Sequence, residues 1–239
     1  LQSSNEELAK FAYVVSHDLQ EPLRSIAGYV QLFARRHADK VDEAGQQYLD
    51  GAVAGVRRMQ SFIGDLLDYS RAGKKLKKDN VDINEVVTAV LSDLRAAIEE
   101  SNATIDVPSL PTVCGDRLAI SQIFLNLLGN AIKFRKPNTS PVVRLETQVG
   151  PDLVSIKVID NGTGIPAGQT QRIFEMFQSA HSRSQYEGSG MGLAICAKLA
   201  QHMGGSIYAV ERDDGAEFVV RVPFDCPSAV PAATKEILP

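Results

Sequence analysis

Apolar residues recur at alternating steps of three and four from Leu8 through Ala12, Val15, Leu19, Pro22, Ile26 and Val30 to Phe33, the spacing of a long helix that buries one seam. Ser4 or Asn5 can cap its start. After a polar break at Asp39 to Gly45, a second stripe runs through Leu49, Ala52 or Val53, Val56, Met59, Ile63 and Leu66 or Leu67, and Arg71-Ala-Gly73 ends it. Two long amphipathic helices in tandem make a hairpin. A hairpin alone leaves apolar surface on the side of each helix that faces away from its partner. A second copy is the simplest cover and gives a dimeric four-helix bundle; packing against the C-terminal half of the chain is the alternative.

His17 lies two positions after Val15 and two before Leu19, so its side chain is expected to project away from the seam. Asp18 is adjacent, and Glu21, four residues on, shares its helical face. A carboxylate that accepts the Nδ1 proton leaves the Nε2 lone pair available, which is what a nucleophilic imidazole requires. A solvated surface histidine beside acids has the same pattern, so the residues alone leave both readings open. Pro22 contributes no N–H to the helix, which predicts a bend or loosening just after His17.

Beyond Gly73 the pattern changes. Residues 74–80 read as a charged linker, followed by helices near 84–100, 116–134 and 190–203. Strands are expected near 104–107, 142–149, 153–160, 205–210 and 216–222, the later ones alternating as half-buried antiparallel strands do. That order predicts an α/β sandwich with a mixed sheet and helices on one face. The domains are expected at 1–73, for the hairpin, and 81–224, for the sandwich, with a tail at 225–239.

A net charge of −4, with one short basic cluster of Lys74, Lys75, Lys77 and Lys78, argues against a nucleic-acid partner. Cys114, Cys196 and Cys226 are odd in number, scattered and without metal-ligand spacing, which predicts free thiols in a reducing compartment, the cytoplasm. No run approaches the roughly 18 apolar residues of a membrane span, and no signal-peptide pattern opens the chain. A start at Leu1, inside a helix, predicts a soluble piece of a longer protein, and any sensor or membrane segment would lie upstream of it.

Three polar motifs bear on phosphate chemistry, although the Walker signature and the loops of Ser/Thr kinases are absent. On the helix ending near Phe134, Asn126, Asn130 and Lys133 fall on one face. The two amide oxygens suit a hard cation such as Mg2+, and Lys133 suits phosphate. Ile159-Asp160-Asn-Gly162-Thr-Gly164-Ile-Pro166 ends an apolar strand with an acid and a glycine-rich turn, where Asp160 can accept an adenine amino proton while the glycines admit the base. Gly188-Ser-Gly190-Met-Gly192-Leu193 opens a helical run, which places backbone N–H groups at a helix N-terminus. Each also reads as an ordinary exposed helix face or turn when taken singly. Between the last two motifs, Gln178 to Glu187 reads as a mobile lid.

In order and spacing, residues from about Leu8 to Phe224 resemble the sensor histidine kinases of two-component systems. Ser16-His-Asp-Leu-Gln-Glu-Pro-Leu-Arg24 resembles the phosphoacceptor box of the phytochrome-like and PAS-linked type, which implies His17 as the phosphorylated residue and Asp18 as its activator. Gln122 to Phe134 is similar to the N box, Asp160 to Gly164 to the first glycine box, Phe174-Glu-Met-Phe177 to the F box, and Gly188 to Gly192 to the second glycine box. The resemblance implies a Bergerat-type sandwich that binds Mg-ATP. Its nucleotide site would take in Asn126, Asn130, Lys133, Phe134, Asp160, Gly162, Gly164, Ile165, Phe177, Gly188, Gly190, Met191, Gly192 and Leu193, with Asn130 the principal Mg2+ ligand and Asn126 its neighbour.

The function implied is ATP-dependent autophosphorylation of His17 in a homodimer, then transfer to an aspartate on a response-regulator receiver domain. The 74–80 linker would act as the hinge, and the connection near Asp39 to Gly45 would decide whether transfer is within one chain or across the dimer. Two departures stand out. Glu21 replaces the Thr or Asn by which many relatives position water for dephosphorylation, and Gly215-Ala-Glu217 replaces a Thr-rich segment. The rival readings are an ATPase of the same superfamily, which lacks a use for His17, and a catalytically silent scaffold.

Overall fold

The computed structural model describes residues 2–37, 40–72, 76–178 and 189–226, with the backbone alone for 2–15, 17 and 71. Helix α1 (Gln2–Arg36) and helix α2 (Glu43–Arg71) form the hairpin. Arg35 and Arg36 close α1, where cations suit the helix dipole. The helix continues through Pro22. Asp42 caps α2 by accepting the Gly45 N–H at 2.8 Å. A Cβ at Gly45 would lie 2.7 Å from Val41 Cγ1, so a larger residue there would have to displace the Val41 side chain.

The predicted seam is only partly buried within one chain. Leu23, Val56 and Ile63 are buried, with Ala27 packed on them, whereas Ile26 and Phe33 are each 49% exposed. Helix α1 thus turns Leu23 toward α2 and leaves Leu19, Ile26 and Phe33 facing outward. The last turns of α2 follow the alternative cover: Leu66, Tyr69 and Ala72 pack into the core of the second unit.

That unit has strand β1 (Asp79–Asp82), helices α3 (Ile83–Asp93) and α4 (Arg95–Ser101), strands β2 (Thr104–Asp106) and β3 (Thr112–Gly115), and helix α5 (Arg117–Lys133). Strands β4 (Val142–Val149) and β5 (Leu153–Asp160), a 3-10 turn (Arg172–Phe174), helix α6 (Gly192–His202), and strands β6 (Ser206–Val210) and β7 (Glu217–Pro223) follow. The large sheet has the order β2-β4-β5-β7-β6; β2 runs parallel to β4 and the other pairs are antiparallel, so the sheet is mixed as expected. Val154, Ile156, Val158 and Asp160 of β5 are buried while the residues between them are half-buried, as a sheet covered by helices on one face requires.

Three expectations need correction. The single helix at 84–100 is two, broken at Leu94 (φ −87°, ψ 1°), a residue with no breaker chemistry of its own. β1 and β3 form a separate antiparallel pair, so β1 begins at Asp79, inside the stretch expected as linker. Cys114 and Cys226 are joined in a disulfide that spans 112 residues, and only Cys196 is a free cysteine among the described residues. Wide sequence spacing was a poor guide here because β3 and the end of β7 are neighbours in space. No helix among the described residues is long and apolar enough to cross a membrane.

Candidate functional site

The site grows from the end of β5. Asp160 is 9% exposed, and its Oδ1 accepts the N–H of Gly162 at 2.8 Å and of Ala216 at 3.1 Å. Burial pushes its carboxyl above the usual carboxylate range, against the lowering effect of those two amides. Both bonds fall on Oδ1. The surrounding backbone is pressed close. A Cβ at Gly162 would lie 2.5 Å from the Phe134 carbonyl oxygen, and one at Gly215 (φ +71°) would lie 1.7 Å from that of Asp160. Gly164 adopts φ +76°.

Helix α5 meets this turn through its C-terminus. The Phe134 carbonyl accepts the Thr163 N–H at 2.9 Å and its hydroxyl at 3.1 Å, so the glycine turn is moored to the cap of α5. Upstream, Ile123, Leu127 and Ala131 are buried while Asn126, Asn130 and Lys133 are half-buried, the two-faced helix the sequence predicts. Asn126 Nδ2 donates to the Gln122 carbonyl at 2.9 Å. Its Oδ1 lies where a Cβ on Gly192 would come within 2.4 Å, which shows how closely α5 and the start of α6 approach. Amide oxygens one turn apart are hard donors of the kind Mg2+ takes, so the residues fit that ion. Lys133 Nζ stands 4.7 Å from the centroid of the Phe134 ring, so the residues expected at phosphate and at adenine rest on each other here.

Helix α6 begins without a side-chain cap, and its first N–H groups are those a bound anion would meet. Gly190 (φ +73°) brings the backbone so near Gln178 that a Cβ would lie 2.7 Å from its carbonyl oxygen. Met191 is fully buried and its N–H donates to Ser189 Oγ at 3.1 Å, while Ile165 and Leu193 pack, half-buried, against the main core. Gly188 and residues 179–187 of the expected lid lie outside the described residues. Phe177 is exposed, with its ring 6.5 Å from that of Phe62 on α2, which sets it between the two halves of the chain.

On the hairpin, Asp18 and Glu21 are exposed and Ser16 is buried; the His17 side chain lies outside the description. Lys198 of α6 ties the halves together: its Nζ donates to the Tyr69 carbonyl at 2.7 Å and stands 4.2 Å from the centroid of that residue's ring.

Some residues that hold the site went unread in the sequence. Asn161 accepts the Val142 N–H at 2.9 Å and donates to the Ser140 carbonyl at 3.2 Å, fixing the start of β4 beside the glycine turn. Its place between Asp160 and Gly162 was the signal. Asp116 caps α5 through the N–H groups of Leu118 and Ala119, at 2.9 and 3.0 Å, and also accepts the Lys77 N–H at 2.9 Å. An aspartate just before a helical run marks such a cap. Nothing local marks Lys198.

Residues 7–75 match the family described as His Kinase A (phospho-acceptor) domain, and residues 115–225 match the Histidine kinase-, DNA gyrase B-, and HSP90-like ATPase family. Phytochrome-like protein Cph1 of Synechocystis sp. is 40% identical over 94% of this chain and 30% of its own length. The probable sensor histidine kinase TcrY of Mycobacterium tuberculosis is 34% identical over 94% of this chain and 47% of its own. The crystal structure of full-length ShkA in complex with AMPPNP superposes with a TM-score of 0.68 at 28% identity, over 92% of this chain and 47% of that one. The chain therefore spans less than half the length of these relatives. With the phosphoacceptor helices and the ATPase-type sandwich in this order, it belongs to the sensor histidine kinases.

Proposed function

We propose that the chain binds Mg-ATP in the sandwich, phosphorylates His17 on the hairpin, and passes the phosphoryl group to an aspartate of a response-regulator receiver domain. The observation that carries this reading is Asp160. It is a buried carboxylate, and both of its protein hydrogen bonds fall on one oxygen, beside a turn whose glycines let the backbone pack against the Phe134 and Gly215 carbonyls. The other oxygen would accept the adenine amino proton. Gly162, Gly164 and Ile165 would line the base, and the open start of α6, from Gly190 through Leu193, would face the phosphates with Gly188. Asn130 and Asn126 would hold Mg2+, which when bound offsets phosphate charge. Lys133 would leave Phe134 for the phosphates, freeing that ring, with Phe177, to cover the nucleotide.

Asp18 would accept the Nδ1 proton of His17, so that Nε2 attacks the γ-phosphorus in line while the bond to the β-phosphate oxygen breaks and ADP departs. Catalysis of this kind rests on positioning. Residues 1–73 are taken as the acceptor half and 81–224 as the nucleotide half, with the segment between them as the hinge. The outward seam of Leu19, Ile26 and Phe33 supports a homodimer, the same hairpin on each side. An upstream sensor would complete the reading, while a cytoplasmic setting loses the support of three free thiols because Cys114 and Cys226 are joined.

Incubation with γ-labelled ATP and Mg2+ tests it. An acid-labile, alkali-stable label on the parent chain that is absent from His17→Gln and Asn130→Asp is the expected outcome. Consumption of ATP with no label on the protein would instead identify an ATPase, and no binding of ATP a scaffold.

A further inference from the structure

The three cysteines stand in three different settings. Cys196 is fully buried on α6, and burial pushes its thiol up to about 12, which leaves it unreactive. Cys114, on β3 opposite Asn80 of β1, is 1% exposed. Cys226 is half-buried, two residues after Phe224, whose N–H donates to the Asp152 carbonyl at 2.9 Å and so holds the chain against the sheet up to that point. Of the bonded pair, Cys226 is the residue with solvent exposure, so a dissolved reagent is expected to meet it first, and Cys114 has almost none.

What the bond joins matters more than the bond itself. Two residues after Cys114, Asp116 caps α5 through Oδ1 and accepts the Lys77 N–H through Oδ2. The strand carrying Cys114 thus leads directly into the junction where the segment from the hairpin enters the sandwich and where the helix of Asn126 and Asn130 begins. The disulfide ties the point at which the chain leaves β7 to that junction, across 112 residues of sequence.

We propose that Cys114 and Cys226 form a reversible redox site, opened and closed by exchange with a small thiol such as glutathione, which staples the exit of the sandwich to its linker-side β1–β3 pair. In closing, the Cys226 thiolate attacks one sulfur of glutathione disulfide and expels one glutathione thiolate. The Cys114 thiolate then attacks Cys226 Sγ of the mixed disulfide and expels the second. Two protein thiols are oxidised by two electrons, one glutathione disulfide is reduced to two glutathiones, and the two thiol protons pass to the expelled thiolates. Opening is the reverse, with glutathione attacking at Cys226. The inference stands apart from the phosphotransfer reading, since neither sulfur touches the nucleotide site.

The test equilibrates the folded chain at graded ratios of glutathione to its disulfide, quenches with acid, alkylates with N-ethylmaleimide and maps the labelled peptides by mass. Cys114 and Cys226 should gain label together in one two-electron transition, while Cys196 takes label only after denaturation. Opening the bond should lower Tm by about 5–15 °C, because a long loop is released in the unfolded chain, and should speed exchange of the Lys77 amide several-fold. Reoxidation should restore both. Cys226→Ser should sit at the lower Tm and no longer respond to glutathione. The proposal is overturned if no ratio closes the bond, if glutathione opens it only in denaturant, if Cys196 reacts first, or if opening leaves Tm and the Lys77 amide unchanged.

Discussion

Among the described residues of the two hairpin helices, Leu23, Val56 and Ile63 form a small buried cluster, with Ala27 against them. In the sandwich a continuous core runs from Val81 to Val222 and joins the inner faces of β4, β5 and β7 to α3, α5 and α6. The sandwich gathers most of its apolar residues into that core, although Leu118, Val142 and Val149 stay exposed. The hairpin leaves Leu19, Ile26, Phe33 and Met59 exposed over two long helices. The contrast explains the division of labour. A buried carboxylate such as Asp160 needs a rigid, self-sufficient core to hold its two amide donors in place. On the proposed function, a histidine that meets both a nucleotide and a partner protein would sit on an accessible helix, and a second copy would cover the hairpin's exposed seam.

The largest expected effect breaks the contrast from the hairpin side. Ile26→Glu combined with Phe33→Glu places charge in the outward seam and should weaken the dimer at least about 100-fold, roughly 3 kcal/mol. The sandwich's own unfolding should stay where it was. Light scattering across a dilution series reads the first quantity and calorimetry the second; an unchanged mass would mean the seam is not the interface.

On the sandwich side, Asp160→Asn keeps an oxygen for the Gly162 and Ala216 amides but turns an NH2 group toward the adenine amino group. Nucleotide affinity, measured by titration calorimetry, should fall about 10- to 100-fold. Stability should move the other way. A carboxyl held above its ordinary range contributes stability below that range and loses it as pH rises through the raised value. The substitution should therefore leave Tm at neutral pH unchanged or slightly higher, and the difference from the parent should vanish as pH falls and the aspartate becomes protonated. A large drop in Tm at neutral pH would make Asp160 a structural residue.

Asp116→Ala removes the α5 cap and the tie to Lys77 together, at an expected cost of about 1–2 kcal/mol and a Tm lowered by about 3–8 °C. The smallest effect concerns the contact between the halves. Lys198→Met deletes the hydrogen bond to the Tyr69 carbonyl, worth about 1 kcal/mol. Amide exchange in the last turn of α2, where Ala72 N–H donates to Asp68, should quicken about 5-fold while nucleotide affinity stays constant. No change in exchange would mean that the two halves are held by apolar packing alone.

Much of this was legible because the chemistry is local. The alternation in Leu153 to Asp160 and in Val142 to Val149 placed β5 and β4 at the ranges the structure shows, and the polar steps of Asn126, Asn130 and Lys133 gave the outward face of α5. What escaped is decided by contacts distant in sequence. β1 buries only Val81, too little to leave a pattern, and pairs with β3 more than thirty residues later. The break at Leu94 carries no glycine or proline. The pairing of Cys114 with Cys226 follows only once β3 lies beside the end of β7, and that of Lys198 with Tyr69 only once α2 lies against α6. The outward seam shows a further limit, since periodicity reports that a helix has an apolar side but not which of its residues another chain must cover.

The most direct test of the central claim is to measure nucleotide affinity and acid-labile label from γ-labelled ATP in the same two variants. His17→Gln should bind ATP as the parent does and carry no label, whereas Asp160→Asn should lose affinity and label together. Label persisting on His17→Gln, or ATP bound equally well without Asp160, would contradict the assignment of acceptor and nucleotide site to the two halves.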